Sequence, residues 1–248
     1  MSRALRWLRI TGKIVKLIFF AIVFSVIIFL LWRIFSSSDP KTVSTMTPNA
    51  KLCEAYESAG DGLYMFRQEQ KSITMAEKNY GYFSITECVF IPDANQVQMV
   101  FRYNNSTIRA LAEDKSLAEI PPRESELFDV SLVLATDLTP SDESDNASNS
   151  AESVKFLRAH PTDAKRDTKN MYNYFRYVFD LDEIGVSLAE ITESGELLAV
   201  YADIYYNQET DYDQTPYGTL CLYDYKSENI KVKLDSADKK ALRSFVGE

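Results

Sequence analysis

The sequence is poor in the residues on which most recognisable chemistry depends. One histidine, His160, stands alone in 248 residues, so a Ser-His-Asp or Cys-His site would have to be built on it. It precedes Pro161 in a polar stretch, where a histidine ordinarily sits solvated at the surface, and no Gly-x-Ser-x-Gly elbow accompanies it. Eight glycines leave neither a Gly-x-Gly-x-x-Gly nor a P-loop spacing, so the usual backbone cradles for nucleotide phosphates are missing. Three cysteines, Cys53, Cys88 and Cys221, are scattered and form no Cys-x-x-Cys, which removes the zinc-ligand spacings. One disulfide with a spare thiol and three reduced, buried thiols both fit this count. A chain of this length can bury a core without disulfides. The low count argues against the disulfide-rich modules of animal secretions and points to a bacterial envelope protein.

Basic charge is scarce too, outside one place. The chain carries 27 basic and 36 acidic residues. Six of the basic residues and one acidic residue lie in residues 1–39, which leaves the remainder at about −14 with histidine neutral. Neutralising phosphate requires Lys and Arg, so the charge argues against nucleic acid or an anionic membrane surface as a partner of this part. The charge fits a soluble face outside the cell, or a basic partner.

What the sequence does contain begins with a long apolar run. Every residue from Leu17 to Trp32 is apolar except Ser25. Residues 14–35, with Lys16 and Arg33 near the edges, would span roughly 33 Å as a helix, close to the ~30 Å hydrocarbon core of a bilayer. Long basic side chains snorkel at such edges and Trp32 suits the interface. A soluble helix would need a polar face, and residues 17–32 offer none. Arg3, Arg6, Arg9, Lys13 and Lys16 precede the run, against Arg33 and Lys41 soon after it. The positive-inside rule therefore places residues 1–13 in the cytoplasm as a short basic tail and the remainder outside. The run is too long for a signal peptide and ends in Leu-Leu-Trp-Arg-Ile-Phe rather than a small-x-small cleavage site, so an uncleaved signal-anchor is expected. The lipid bilayer is thus the partner of residues 14–35.

Beyond it, residues 36–50 are rich in Ser, Thr and Pro and read as a linker lifting the domain off the bilayer. Residues 51–248 read as one β-rich domain. Asn49 is placed to cap a short helix ending at Gly60, and Asn105 or Ser106 to cap one or two helical turns carrying Ile108 and Leu111. Alternation with period two marks strands with one wet face. Phe83, Ile85, Val89 and Ile91 share a face of 82–91, with Glu87 out of pattern. Val97, Met99, Phe101 and Tyr103 alternate cleanly, as do Phe128, Val130, Leu132 and Leu134. Residues 92–95, Pro-Asp-Ala-Asn, form a hairpin turn between the first two. Further strands are expected over 172–181, 197–206, 217–225 and 230–234, the last two paired through 226–229, with Lys231 and Lys233 protecting an edge. Asp235 or Ser236 would cap a final helix ending near Phe245. Between 137 and 170 the pattern breaks. Residues 139–150 are almost wholly Ser, Asp, Asn and Glu and read as a disordered loop, and a short helix is expected around Val154 to Ala159. Seven strands with abundant Tyr and Phe predict a mainly β fold. It is a β-sandwich-like extracytoplasmic domain with a few short helices, preceded by one N-terminal transmembrane α-helix.

Candidate chemistry is thin. Glu209, Asp211 and Asp213 alternate in the acidic loop 207–214 and would suit calcium, but the EF-hand's glycine and closing glutamate are absent, and a solvated loop is the plainer reading. Tyr201, Tyr205, Tyr206, Tyr212, Tyr217, Tyr223 and Tyr225 crowd one region. They are either a binding surface or half-buried strand residues, and the sheet reading carries more weight. Asn104, Asn105 and Asn146 begin Asn-x-Ser/Thr sequons that matter only in a eukaryotic secretory pathway. No catalytic, cofactor-binding or metal-binding residue emerges and no cofactor is implied. The expectation is a non-catalytic, membrane-anchored interaction module of the cell envelope that binds a protein or cell-wall partner. Two alternatives stay open: an accessory subunit of a membrane complex, and an envelope hydrolase working with two carboxylates.

Overall fold

The structure is a computed structural model that describes residues 3–37, 39–68, 83–122, 127–137, 154–207 and 216–247. The expected disordered loop at 139–150 and most of the acidic loop 207–214 lie outside the described residues. The chain divides into two units, Met1–Asp39 and Pro40–Glu248.

The first unit is one helix, α1 (Arg3–Ser37). Its window Val15–Trp32 has a mean hydropathy of 2.7 and none of it is buried, so the helix is long and apolar enough to cross a membrane. The Ser25 hydroxyl donates to the Ala21 carbonyl at 2.8 Å, satisfying within the helix the one polar side chain of the run.

The second unit is mainly β, built as two antiparallel sheets. Its strands are β1 (Phe66–Gln68), β2 (Phe83–Ile91), β3 (Gln96–Asn104), β4 (Phe128–Asp137), β5 (Val154–Ala159), β6 (Asp163–Lys169), β7 (Tyr172–Asp180), β8 (Leu197–Tyr206), β9 (Gly218–Asp224) and β10 (Asn229–Lys231). Six of them form one sheet in the order β10-β1-β2-β3-β7-β6, and four form the other in the order β5-β4-β8-β9. The helices are α2 (Lys41–Ser44), α3 (Ala50–Ala59), α4 (Asn105–Asp114), α5 (Leu188–Glu193) and α6 (Ser236–Val246).

Alternation explains the core. Val97, Met99, Phe101 and Tyr103 of β3 and Phe175, Tyr177 and Phe179 of β7 point to one side of the large sheet. They meet Phe128, Val130, Leu132 and Leu134 of β4 and Val200, Ala202 and Ile204 of β8 in a single buried cluster. Rings lock the two sheets together: Phe128 lies 4.9 Å from Phe83 and 5.0 Å from Tyr103, centroid to centroid, both edge-on. Gln68 of β1, also buried, stitches the corner where β9 leaves for β10. Its amide donates to the carbonyls of Asp224 and Ser227 and accepts from the Asp224 N–H at 2.8 Å.

The caps follow the sequence signals. The Asn49 side chain accepts from the Leu52 N–H, and α3 stops at Gly60 with φ +57°, a conformation that suits glycine. Asp235 and Asp238 form a reciprocal capping box on α6, and Asn95 takes the left-handed turn position (φ +48°) between β2 and β3. Asn104, rather than Asn105 or Ser106, caps α4.

Several expectations are corrected. The segment from Val154 to Ala159 is the edge strand β5, not a helix, β6 follows it, and β1 was not expected either, so the described residues hold ten strands in place of the expected seven. Strand β9 pairs with β8, while β10 crosses to the other sheet and pairs with β1, so the expected hairpin through 226–229 does not form. Between Ile85 and Glu87 the β2–β3 register shifts. Phe83, Ile85, Cys88 and Phe90 consequently face the shared core, while Val89 and Ile91 face the opposite side. That opposite side is not wet. Helices α3 and α6 cover it over β2 through Leu52, Cys53 and Leu242. The supposed linker is packed as well: Val43, Met46 and Thr47 are all buried, so from Pro40 the chain belongs to the compact unit. The abundance of Ser and Thr concealed two apolar anchors.

Candidate interaction surface

The two sheets treat their outward faces differently. The outer face of the six-stranded sheet carries two buried clusters, one under α3 and α6 and one under Val43. None of the buried hydrophobic clusters among the described residues includes an outward residue of β4, β5, β8 or β9. The register defines what this face presents. One cross-strand row runs Arg158, Val133, Tyr201, Cys221, flanked by Phe156, Ala135 and Ala199 on one side and by Ser131, Asp203 and Thr219 on the other. Phe156 is 66% exposed and Val154 39% exposed, on an edge strand with no further strand beyond it among the described residues.

At the centre lies a fixed polar cluster. Arg158 donates from Nη1 to Ser131 Oγ at 2.9 Å and to the Tyr205 hydroxyl at 2.6 Å, and from Nη2 to Asp203 Oδ2 at 3.1 Å. Thr219 donates to the other Asp203 oxygen at 2.7 Å, and the guanidinium stands 5.4 Å from the centre of the Tyr205 ring. Four strands thus contribute to one network. Asp203 and Tyr205 are buried although they point outward, as are Ser131, Val133 and Ala135 of β4, so the exposed part of this face is its two edges, Val154 and Phe156 of β5 and Thr219 and Cys221 of β9. A planar guanidinium held by a carboxylate, two hydroxyls and a ring has little rotational freedom left, so this centre is preorganised.

Ser131 is fully buried and its oxygen accepts from a cation, the reverse of the activation that a nucleophile needs. His160 is exposed at the end of β5. Cys53 and Cys88 are buried, and Cys221 is exposed on the outer face of the four-stranded sheet. Burial, aided by Glu57, pushes the Cys53 thiol above its ordinary value. Among the described residues no three His, Cys, Asp or Glu side chains converge as a metal site.

The tyrosine crowd divides between the two sides of its sheet. Tyr206 and Tyr223 belong to the shared core and Tyr217 packs against it, while Tyr205 and Tyr201 point outward and Tyr225 is exposed. Tyr212 lies outside the described residues. Sequence reasoning missed Arg158, Asp203 and Phe156. Asp203 was visible as the charged residue among outward positions of a clean strand. Arg158 and Phe156 were hidden by the helical reading of their segment. Comparison with protein-family models, with curated proteins and with solved structures gives no match.

Proposed function

We propose that the chain is a single-pass membrane protein with a cytoplasmic N-terminus. Its β-sandwich-like domain lies on the extracytoplasmic side and binds a partner protein of the cell envelope through the outer face of the four-stranded sheet. Phe156, exposed at the edge of this face, carries this reading. Arg, Tyr and Phe around a desolvated centre are the composition that interface hot spots favour, and a polar centre that is already satisfied loses little when water leaves. The sandwich reading is supported by the core shared between two antiparallel sheets, and the anchor reading by the hydropathy of α1 and the basic residues before it.

Cys221 supplies the test, because it is exposed on this face while Cys53 and Cys88 are buried. In intact membranes its reaction with a small maleimide should be at least ~10-fold slower than in the isolated protein, a contribution expected of one hot-spot contact. Phe156→Ala should restore the fast rate. Equal rates in both preparations would mean that the face is unoccupied and the proposal is wrong. Protection that a wall-digesting treatment abolishes would assign the face to a wall polymer instead of a protein.

A further inference from the structure

The four-stranded sheet ends on one side at β5, with no further strand beyond it among the described residues. We propose that β5 pairs with the β5 of a second copy of this chain, antiparallel about a two-fold axis at Phe156, so that two sheets join into one. The pairing does not rest on the partner proposed for the outer face, because it uses the backbone edge rather than the face.

Sheet edges are ordinarily kept from pairing by charge, shortness or cover. Strand β6 carries Asp163, Lys165, Arg166, Asp167 and Lys169, and β10 is only three residues long. Strand β9 exposes Thr219 and Cys221 but no large apolar side chain. Strand β5 differs. Val154, Lys155 and Phe156 are exposed, and exposure falls along the strand to Ala159, which is buried in the shared core.

The backbone of β5 is open at the same positions. The Lys155 carbonyl accepts from the hydroxyl of Thr136, its partner on β4, at 3.4 Å, so the polar backbone groups of Lys155 turn toward β4. In an antiparallel strand these groups alternate, the N–H and C=O of one residue facing the same neighbour. Those of Val154, Phe156 and Arg158 therefore face the open side. The side chains of the same three residues share the outer face, opposite Asp137, Ala135 and Val133.

The strand's own sequence selects a second copy as the occupant and fixes the register. A two-fold axis sets each residue against the one equally far beyond the axis. Among axes through the strand's interior, Lys155 or Arg158 would set a cation against itself, which is unfavourable. An axis through Leu157 would draw the buried Ala159 into the contact. Through Phe156 every position matches: Phe156 meets its copy, Val154 meets Arg158, and Lys155 meets Leu157. No two cations stand opposite one another. The three residues with open backbone groups meet only each other, so each pair can exchange both bonds. Arg158 is already paired with Asp203 at 3.1 Å, and its approach brings no unmatched charge. The two exposed Phe156 rings cover one another, an aromatic pair at the centre of the joint.

Sedimentation of the full chain in detergent micelles tests the pairing. The wild type should form a dimer that dissociates on dilution. Phe156→Lys, which sets two ammonium groups face to face, should weaken that dimer at least ~10-fold. Phe156→Glu alone should do the same, and mixing the two variants should restore the dimer by matching opposite charges. A wild type that stays monomeric, a dimer that either variant leaves intact, or a mixture that stays monomeric overturns the proposal. Cross-linking checks the register. In a chain carrying Cys221→Ser, a short bifunctional maleimide should join Phe156→Cys to its copy, with Cα atoms about 5.5 Å apart. Val154→Cys should react at least ~10-fold more slowly, because its copies would stand about 14 Å apart. Equal rates at the two positions overturn the proposal as well.

Discussion

Each sheet carries an arginine on its outward face, and the two arginines are satisfied in opposite ways. Arg176 lies at 0% side-chain exposure and, besides its pair with Glu87 of its own sheet, donates to the backbone of a separate segment that covers it. Arg158 keeps 32% exposure and bonds to Ser131, Asp203 and Tyr205 of its own sheet. One face satisfies its arginine partly through a covering segment, and the other through side chains of its own strands. The four-stranded face can therefore lose its remaining water on docking without leaving a charge unpaired, and the covered face cannot lose its cover without rehydrating one.

The comparison predicts where stability resides. Met65→Ala, under the cover of the large sheet and fully buried, should cost about 2–5 kcal/mol. Urea unfolding of the purified chain measures it. A loss below ~1 kcal/mol would mean that the cover contributes little and that the two faces are energetically alike.

Asp203→Ala comes next. It removes the anion of the network on the four-stranded sheet, and Arg158, only partly exposed, must find water. The expected loss is about 1.5–3 kcal/mol, the range for hydrogen bonds to charged groups. A double-mutant cycle with Arg158→Ala should show coupling between the two. Additive losses would show that the ion pair at 3.1 Å contributes nothing beyond its separate members. Phe156→Ala should alter stability by less than ~0.5 kcal/mol, since the side chain is a surface position. Its effect should fall on binding alone, and a large loss of stability would mean that the face is already covered within the protein.

Much of this contrast was legible in the sequence, but not the cover. Strands β3, β4 and β7 were readable because large apolar residues recur at every second position in each. Helices α3 and α6 were marked by Asn49, Gly60 and Asp235. The linker reading failed at Val43 and Met46, because two anchors in a Ser/Thr-rich stretch carry no periodic signal. Glu87 broke the alternation of its strand visibly, yet its partner Arg176 lies 89 residues away and no local rule pairs them. Strands β5 and β6 are edges rich in charge, and a short edge strand presents too few apolar residues to be told from a helix by periodicity. The pairing of β10 with β1 depended on which sheet each strand joins, which local pattern does not encode.

The smallest predicted effect lies at the rim of the covered face, where Lys51 of α3 bridges Asp180 and Asp182 beyond β7. The bond from Lys51, with a second from Asn95, lowers the Asp182 carboxyl below its ordinary value; the bond from Asp180, then that from Asp182, raises Lys51 above its own. A carboxyl whose folded value lies below its unfolded one of about 3.9 contributes fully above that pH and loses its contribution as pH falls through the folded value. For the lysine the contribution is complete below about 10.4 and is lost as pH rises through the raised folded value. The pair therefore steadies α3 across the whole neutral range and fades only at the two extremes. Solvent screens it, since the Asp182 side chain is 57% exposed, so Asp182→Asn should cost at most a few tenths of a kcal/mol at pH 7. That difference should close as pH falls through the lowered folded value and the wild-type carboxyl takes up its proton. A difference that persists in acid would assign the loss to the Asn95 contact, which an amide also disturbs, and not to charge.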